Sequence, residues 1–260
     1  MRLQDRVYLI TGSTTGIGRA IARLCLDEGG LVMIHGMDEA EAEEVREDLC
    51  PDRSAAGHVC QDLREKGAAA KMIQATLDEF GRLDGLVNNA AQVWFGGMAA
   101  VTEDRFDEVL AVNLRAPLFL IQAAIPHLAA RRGNVVNIGS INAHCGEPDL
   151  LPYSLSKGGL MTLTRNLGDT LHREHGICVN QVNPGWVFTE NEDRRKREQG
   201  MSEGWESQLS PREAPSGRLL RAEEVAEAVV YFLSEEKGPV SGSVLDLEQF
   251  PVIGRNPPKG

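Results

Sequence analysis

No apolar run in the sequence approaches the roughly 20 residues needed to cross a bilayer, so no membrane partner is expected. Residues 1–5 are polar and lead straight into a strand-like run. No secretory signal is expected from them, and a cytoplasmic location follows as the default. An excess of positive charge is also missing: the formal net charge of -11 would repel phosphates and argues against a nucleic-acid partner. The five cysteines (Cys25, Cys50, Cys60, Cys145 and Cys178) form no Cys-x-x-Cys pair, which points to buried reduced thiols. No His-x-x-x-His pair occurs, and no metal site is expected. Repeats and low-complexity linkers are absent as well.

What is present is an ordinary globular composition, 42% apolar and 25% charged, over 260 residues. That length is near the upper size of one hydrophobic core and predicts one domain over residues 1–250, with an irregular tail at 251–260. Short apolar runs at 7–11, 31–35, 57–60, 85–88, 134–138, 177–182 and 243–247 suit strands covered on both faces. Amphipathic stretches at 17–28, 39–49, 66–80, 103–130, 152–175 and 222–233 alternate with them. The alternation predicts an α/β fold, a doubly wound Rossmann-like parallel sheet of seven strands with helices on both faces. Residues 190–221 have no clear apolar period and are expected to form a substrate lid. The basic run Arg194 to Arg197 within them, like the acidic stretch 38–48, reads as a solvated helix face.

The first candidate site is the loop Thr11-Gly12-Ser13-Thr14-Thr15-Gly16-Ile17-Gly18, between the first strand and the first helix. Glycines there let the backbone turn tightly and approach a pyrophosphate, which the free N–H groups of a helix N-terminus bind. The end of the second strand, Gly36-Met37-Asp38, carries no Arg or Lys to accept a ribose 2′-phosphate, and Asp38 would repel one. The expected cofactor is therefore NAD in preference to NADP, unless Asp38 only caps the next helix.

The second candidate site combines Ser140, Tyr153 and Lys157. Tyr153 and Lys157 stand four residues apart and project from one helical face, where a lysine cation favours the phenolate. Ser140 follows the fifth strand, on the side of a doubly wound sheet where ligands bind, and its hydroxyl can polarise a substrate oxygen.

Taken with Asp62, Asn88-Asn89-Ala90-Ala91, Asn113 and Pro184-Gly185-Trp186-Val187-Phe188-Thr189, these motifs resemble the short-chain dehydrogenase/reductase family over about residues 5–248. The resemblance implies a nicotinamide-dependent oxidoreductase acting on an alcohol or carbonyl carbon. It implies Tyr153 as general acid/base, and Lys157 as the group that binds the nicotinamide ribose and lowers the tyrosine pKa. Ser140 orients the substrate oxygen, and Asn113 holds a water-linked proton relay. On the cofactor side, the resemblance implies adenine contacts for Asp62 with Leu63 beside it, and an adenosine-ribose wall at Asn89 and Ala90. It places Pro184 and Gly185 along the nicotinamide, with Val187 and Thr189 at its carboxamide.

Two departures stand out. Ala91 replaces a usual glycine, and Leu247-Glu248-Gln249-Phe250 stands where the family commonly ends its last strand with Asp-Gly-Gly. The second weakens the expectation of a homotetramer and leaves a homodimer through the helices at 103–130 and 152–175. Substrate contacts are expected from Ser140, Gln92, Trp94, Asn142, His144, Glu147 and Trp186, whose polar groups suit a small polyol or sugar. An NADPH-dependent 3-oxoacyl-thioester reductase shares the catalytic residues but calls for a basic cofactor site. A non-catalytic cofactor-sensing scaffold would need none of Asn113, Ser140, Tyr153 and Lys157.

Overall fold

The computed structural model describes residues 1–144 and 146–253. Seven runs form one all-parallel sheet: β1 (Val7–Ile10), β2 (Leu31–Gly36), β3 (Ala56–Cys60), β4 (Gly85–Asn88), β5 (Asn134–Ile138), β6 (Cys178–Pro184) and β9 (Val244–Leu247). Their order is β3-β2-β1-β4-β5-β6-β9, so the chain reverses its winding between β1 and β4. Register there pairs Ile10 with both Ile34 and Val87, which brings the carboxyl ends of β1, β2 and β4 to one level.

Alternate strand residues feed two separate cores, because successive side chains point to opposite faces. Ile10, Ile34, Val87, Val136 and Val182 pack under α1 (Gly16–Asp27) and α8 (Ala222–Leu233). Leu9, Met33, Leu86, Val135 and Val179 pack under α3 (Ala68–Phe80), α5 (Ala116–Ala129) and α6 (Leu151–His175). α2 (Glu39–Leu49) follows β2 and contributes Val45 and Leu49 to the first core.

Three expectations change. The third helix begins at Ala68 and not at 66, because Gly67 takes a left-handed φ of 85° just before it. The expected helix 103–130 is α4 (Glu103–Leu110), a widened turn at Ala111–Arg115 and α5, with the Ala116 N–H reaching the Ala111 carbonyl five residues back. Pro117 contributes to this, since it has no N–H to offer the Asn113 carbonyl four residues earlier. The segment 190–221 holds real structure: α7 (Glu190–Glu198), a turn at Trp205–Gln208, and β8 (Leu220–Arg221) paired with β7 (Val187–Phe188). α7 forms from charge order and not from apolar period. Thr189 caps it, acids occupy its first turn and Arg195, Lys196 and Arg197 its last, matching the helix dipole.

By length and composition the rod Glu103–Ala129 contains an 18-residue window apolar enough to cross a membrane, with a mean hydropathy of 1.5 over that window. Here Leu120, Ile121, Ala124 and Leu128 of that rod are buried against the sheet as core. Of the expected tail, residues 251–253 are irregular and 254–260 lie outside the described residues.

Candidate active site

Both sequence motifs converge on the carboxyl edge of the sheet. The loop 11–18 leaves β1 with Gly12 and Gly16 at φ 61° and 53°, backbone that side chains rarely adopt. Its coil is so tight that a β-carbon on Gly18 would lie 2.1 Å from the Gly12 carbonyl oxygen. Asn89 ties the coil down, its amide donating to the Thr11 and Gly12 carbonyls at 2.9 Å each. Thr11 Oγ1 in turn accepts the N–H groups of Asn89 and Ala90. A further clamp was not foreseen: the Gly12 N–H donates to Nδ1 of His35 at 2.9 Å, while His35 Nε2 donates to the Gln61 carbonyl. His35 is therefore the neutral Nε2–H form, and burial at 2% exposure pushes its pKa down. A buried histidine ending a strand gives no sign in the sequence beyond its place beside the loop.

The N-terminus of α1 differs from those of α2, α4 and α7. Thr15 makes no capping hydrogen bond there, and no acid occupies the first turn. Positive-φ glycines over an uncapped, positive helix end fit the pyrophosphate of a dinucleotide. Around this end lie Thr14, packed on Gly36, and Ile17, whose side chain faces the cleft. Asp38 caps α2 by accepting the Glu41 N–H at 2.9 Å, so the capping alternative for this residue is realised. One oxygen is used in that bond, Met37 beside it is 69% exposed, and neither brings a cation to the strand end. Asp62 is held by Arg64 at 2.7 Å, which keeps its carboxyl below the usual range, and Leu63 next to it is buried in the second core.

Ser140 stands two residues past β5 and Tyr153 lies in the first turn of α6, and both line one cleft. Burial raises the Tyr153 pKa, against the lowering by Lys157 that the resemblance implied, and the nearby Ser140 hydroxyl opposes that rise. Lys157, 2% exposed, lies under the tyrosine with Nζ 5.5 Å from the ring centre, and donates to the Ile138 carbonyl at 2.7 Å. Burial pushes its pKa down to about 8. Asn113 sits in the widened turn and clasps the Gln92 backbone, accepting its N–H at 2.7 Å and donating to its carbonyl at 3.0 Å. The same amide donates to Ser156 Oγ, and Ser156 donates to the Tyr153 carbonyl, so Asn113 ties the loop after β4 to the base of the tyrosine.

A cleft of about 350 Å³ joins these groups. Ser140, Tyr153 and Lys157 line it with Asn89, Ile17, Pro184, Gly185, Trp186, Val187 and Thr189. Among the expected substrate contacts, Ser140 and Trp186 line the cleft. Gln92, Trp94, Asn142, His144 and Glu147 are not among its walls. The Asn142 N–H donates to Ser140 Oγ, His144 bonds Asp246, and the Trp94 ring packs over Gly96. The walls instead come from Val93 and Phe95 after β4 and from Asn191, Glu192 and Arg195 of α7. Arg195 lies 4.5 Å from the centre of the Phe95 ring and pairs with Glu192, which also accepts the Trp186 indole N–H. Asn191 reaches back to Thr15 Oγ1 at 3.2 Å. The sequence showed Arg195 only as part of a charged run.

A family model described as enoyl-(acyl carrier protein) reductase matches residues 12–248. The chain is 34% identical to the (2S)-[(R)-hydroxy(phenyl)methyl]succinyl-CoA dehydrogenase subunit BbsD of Thauera aromatica, covering 94% of this chain and 96% of that one. Among solved structures it resembles an NADP-bound 3-oxoacyl (acyl-carrier-protein) reductase from Agrobacterium tumefaciens, with a TM-score of 0.84 and 29% identity over 94% of this chain and 93% of that one. A 3-ketoacyl-(acyl-carrier-protein) reductase from Brucella melitensis, complexed with NADH, aligns with a TM-score of 0.81 and 27% identity over 94% and 96% of the two chains. The chain belongs to the short-chain dehydrogenase/reductase family. It is an NAD(P)-dependent oxidoreductase of alcohol and carbonyl groups.

Proposed function

We propose that the cleft beyond β4, β5 and β6 interconverts a secondary alcohol and its carbonyl compound, with Tyr153 as general acid/base. The observation that carries this is the convergence of Ser140, Tyr153 and Lys157 on one cleft at the carboxyl edge of the sheet, with the buried Lys157 Nζ 5.5 Å from the Tyr153 ring centre. Ser140 orients the substrate oxygen, and Tyr153 moves the proton to or from it. The raised tyrosine pKa keeps the phenol protonated at neutral pH, the form needed to donate to a carbonyl oxygen as it gains a hydride. Lys157 supplies positive charge below that proton and a hydrogen-bonding group for the nicotinamide ribose. Asn113 holds the relay's floor by fixing the Gln92 backbone against α6.

When bound, the nicotinamide ring gives or takes the hydride, and the protein positions it. Gly12, Thr14, Thr15, Gly16, Ile17 and Gly18 would hold the pyrophosphate. Asp62 and Leu63 would flank the adenine, with Asn89 and Ala90 along the ribose. Pro184, Gly185, Val187 and Thr189 would line the nicotinamide. Gly36, Met37 and Asp38 present no cation to a 2′-phosphate, which supports NAD over NADP.

The substrate end of the cleft changes the expected class of alcohol. Val93, Phe95 and Trp186 are apolar walls, and Glu192 and Arg195 are paired with each other. Few free polar groups remain for the hydroxyls of a polyol, so an alcohol or ketone with an apolar body fits better. Residues 190–221 act as the lid in this reading, over a single domain spanning residues 1–250. A homodimer would cover the apolar groove of about 760 Å³ on α4, α5 and α6, where Leu118 is 40% exposed. The free thiols of Cys25, Cys50, Cys60 and Cys178 support a cytoplasmic setting. The test is Tyr153→Phe: turnover of ketones such as aryl ketones, followed by nicotinamide absorbance, is expected to vanish while dinucleotide binding persists. Substantial residual turnover would overturn the assignment.

A further inference from the structure

The turn that carries Ser140 is closed by a ring of hydrogen bonds reaching the last strand. The Ser140 N–H donates to Asn183 Oδ1 at 3.1 Å. Asn183 Nδ2 donates to Asp246 Oδ1 at 2.9 Å, and the same oxygen accepts His144 Nε2 at 2.9 Å. His144 ends the short helical turn Ile141–Ala143 that begins at Ser140. The ring thus runs from Ser140 through the turn to His144, across to Asp246 on β9, through Asn183 on β6 and back to Ser140.

Asn183 has no freedom to rotate its amide. Its Oδ1 also accepts Gln181 Nε2 at 2.6 Å, and Gln181 Oε1 accepts the Thr164 hydroxyl at 2.8 Å. Asn137 and Asn88 extend the chain of bonds under β5 and β4. Gly139, which precedes Ser140, fits this arrangement: a β-carbon there would lie 1.9 Å from Asn183 Oδ1 and 2.3 Å from Gln181 Nε2. A side chain at 139 and the amide pair cannot occupy the same space. The backbone on both sides of Ser140 is therefore set by groups on β6 and β9, outside the cleft itself.

We propose that Asp246 and His144 are positioning residues that orient the Ser140 hydroxyl toward the substrate oxygen. The inference rests on the reading of Ser140 given above. Asp246 acts through Asn183 on one end of the turn and through His144 on the other, so that loss of either bond lets the turn rotate. Ser140 Oγ accepts the Asn142 N–H at 3.1 Å, and a rotated turn would redirect that hydroxyl away from Tyr153. The dinucleotide loop at 11–18 stands apart from this ring, so cofactor affinity should not respond.

The experiment measures kcat, substrate KM, dinucleotide Kd and the deuterium isotope effect on hydride transfer for His144→Ala, Asp246→Ala, Asp246→Asn and the His144→Ala/Asp246→Ala pair. A misplacement of the hydroxyl should lower kcat by on the order of 10- to 100-fold, with an isotope effect raised and Kd unchanged. Asp246→Asn keeps an acceptor oxygen and should recover most of the loss. The double variant should be no worse than the poorer single one, because both break one ring. Unchanged kcat in the folded single variants, or losses that track Kd, would overturn the proposal. Should Asp246→Ala fail to fold, His144→Ala alone decides. Ser140→Ala separates the two levels: if it is inactive while His144→Ala and Asp246→Ala turn over normally, only the positioning role falls. If Ser140→Ala itself turns over normally, the reading of Ser140 falls and takes this one with it.

Discussion

The Gly12 N–H and the imidazole of His35 meet at 2.9 Å, with Nδ1 of the ring as acceptor. Protonation would place a second donor against that N–H and break the bond. Burial already disfavours the charged ring, so its pKa in the folded protein lies below the ordinary 6.5. Above about pH 6.5 both folded and unfolded chains hold the ring neutral, and its full contribution to stability is present. As pH falls below that value the unfolded chain takes up the proton first, and stability declines until the folded ring also titrates. Denaturation followed from pH 8 to 5 should show this slope, and it should disappear in His35→Leu. The same variant leaves the Gly12 N–H unpaired, worth about 1–3 kcal/mol, and should weaken dinucleotide binding in a direct titration. Wild-type affinity in His35→Leu would show that the ring does not hold the loop.

Lys157 is expected to work against the fold it belongs to. Its pKa is pushed down from 10.5 to about 8 by burial, so the folded state resists carrying that charge. Between about pH 8 and 10.5 the unfolded chain holds the proton more tightly, and stability rises with pH across that window. Below it both states are charged and the full cost remains. Lys157→Met should therefore be inactive and yet more stable at pH 7, by on the order of 1–3 kcal/mol. Urea denaturation of both proteins at pH 7 checks this, and a less stable variant would count against it.

Cofactor choice should be movable at Met37. It is 69% exposed at the end of β2, next to a carboxylate already fixed as a helix cap. Met37→Arg adds a cation where a 2′-phosphate would lie, and a charge-assisted bond of about 1.5–3 kcal/mol shifts the NADP-to-NAD preference by roughly 10- to 100-fold. Steady-state kinetics with both cofactors measures the ratio. An unchanged ratio would mean that the ribose lies elsewhere.

Gly18 tests how tightly the loop is wound. A β-carbon there would lie 2.1 Å from the Gly12 oxygen and 2.4 Å from Asn89 Nδ2. Gly18→Ala should lose about 1–3 kcal/mol of stability through overpacking and bind dinucleotide weakly. Thermal melts with and without NAD read both effects, and a variant matching wild type in each would refute the close approach.

Much of this was legible beforehand, for identifiable reasons. Val7, Tyr8, Leu9 and Ile10 read as a strand because both of its faces are covered. Tyr153 and Lys157 read as partners because four residues make one helical turn and a little more. What escaped depends on tertiary placement. His35 looks like any buried strand residue until Gly12 is seen against it. Phe95, Glu192 and Arg195 become walls only because α7 folds back over the cleft, and α7 itself is written in charge order, which an apolar period does not detect. Trp94 and His144 carry the right chemistry for a substrate, but their loops turn them toward Gly96 and Asp246.

The bare first turn of α1, with neither a capping bond from Thr15 nor an acid to complement its dipole, has a consequence beyond catalysis. A pyrophosphate would complete that helix end, and a ligand at about 100 times its Kd adds about 2.7 kcal/mol to the folded state. Cellular lifetime should then follow nucleotide supply: chains starved of dinucleotide would open more often and be cleared sooner by proteases, while well-supplied chains persist.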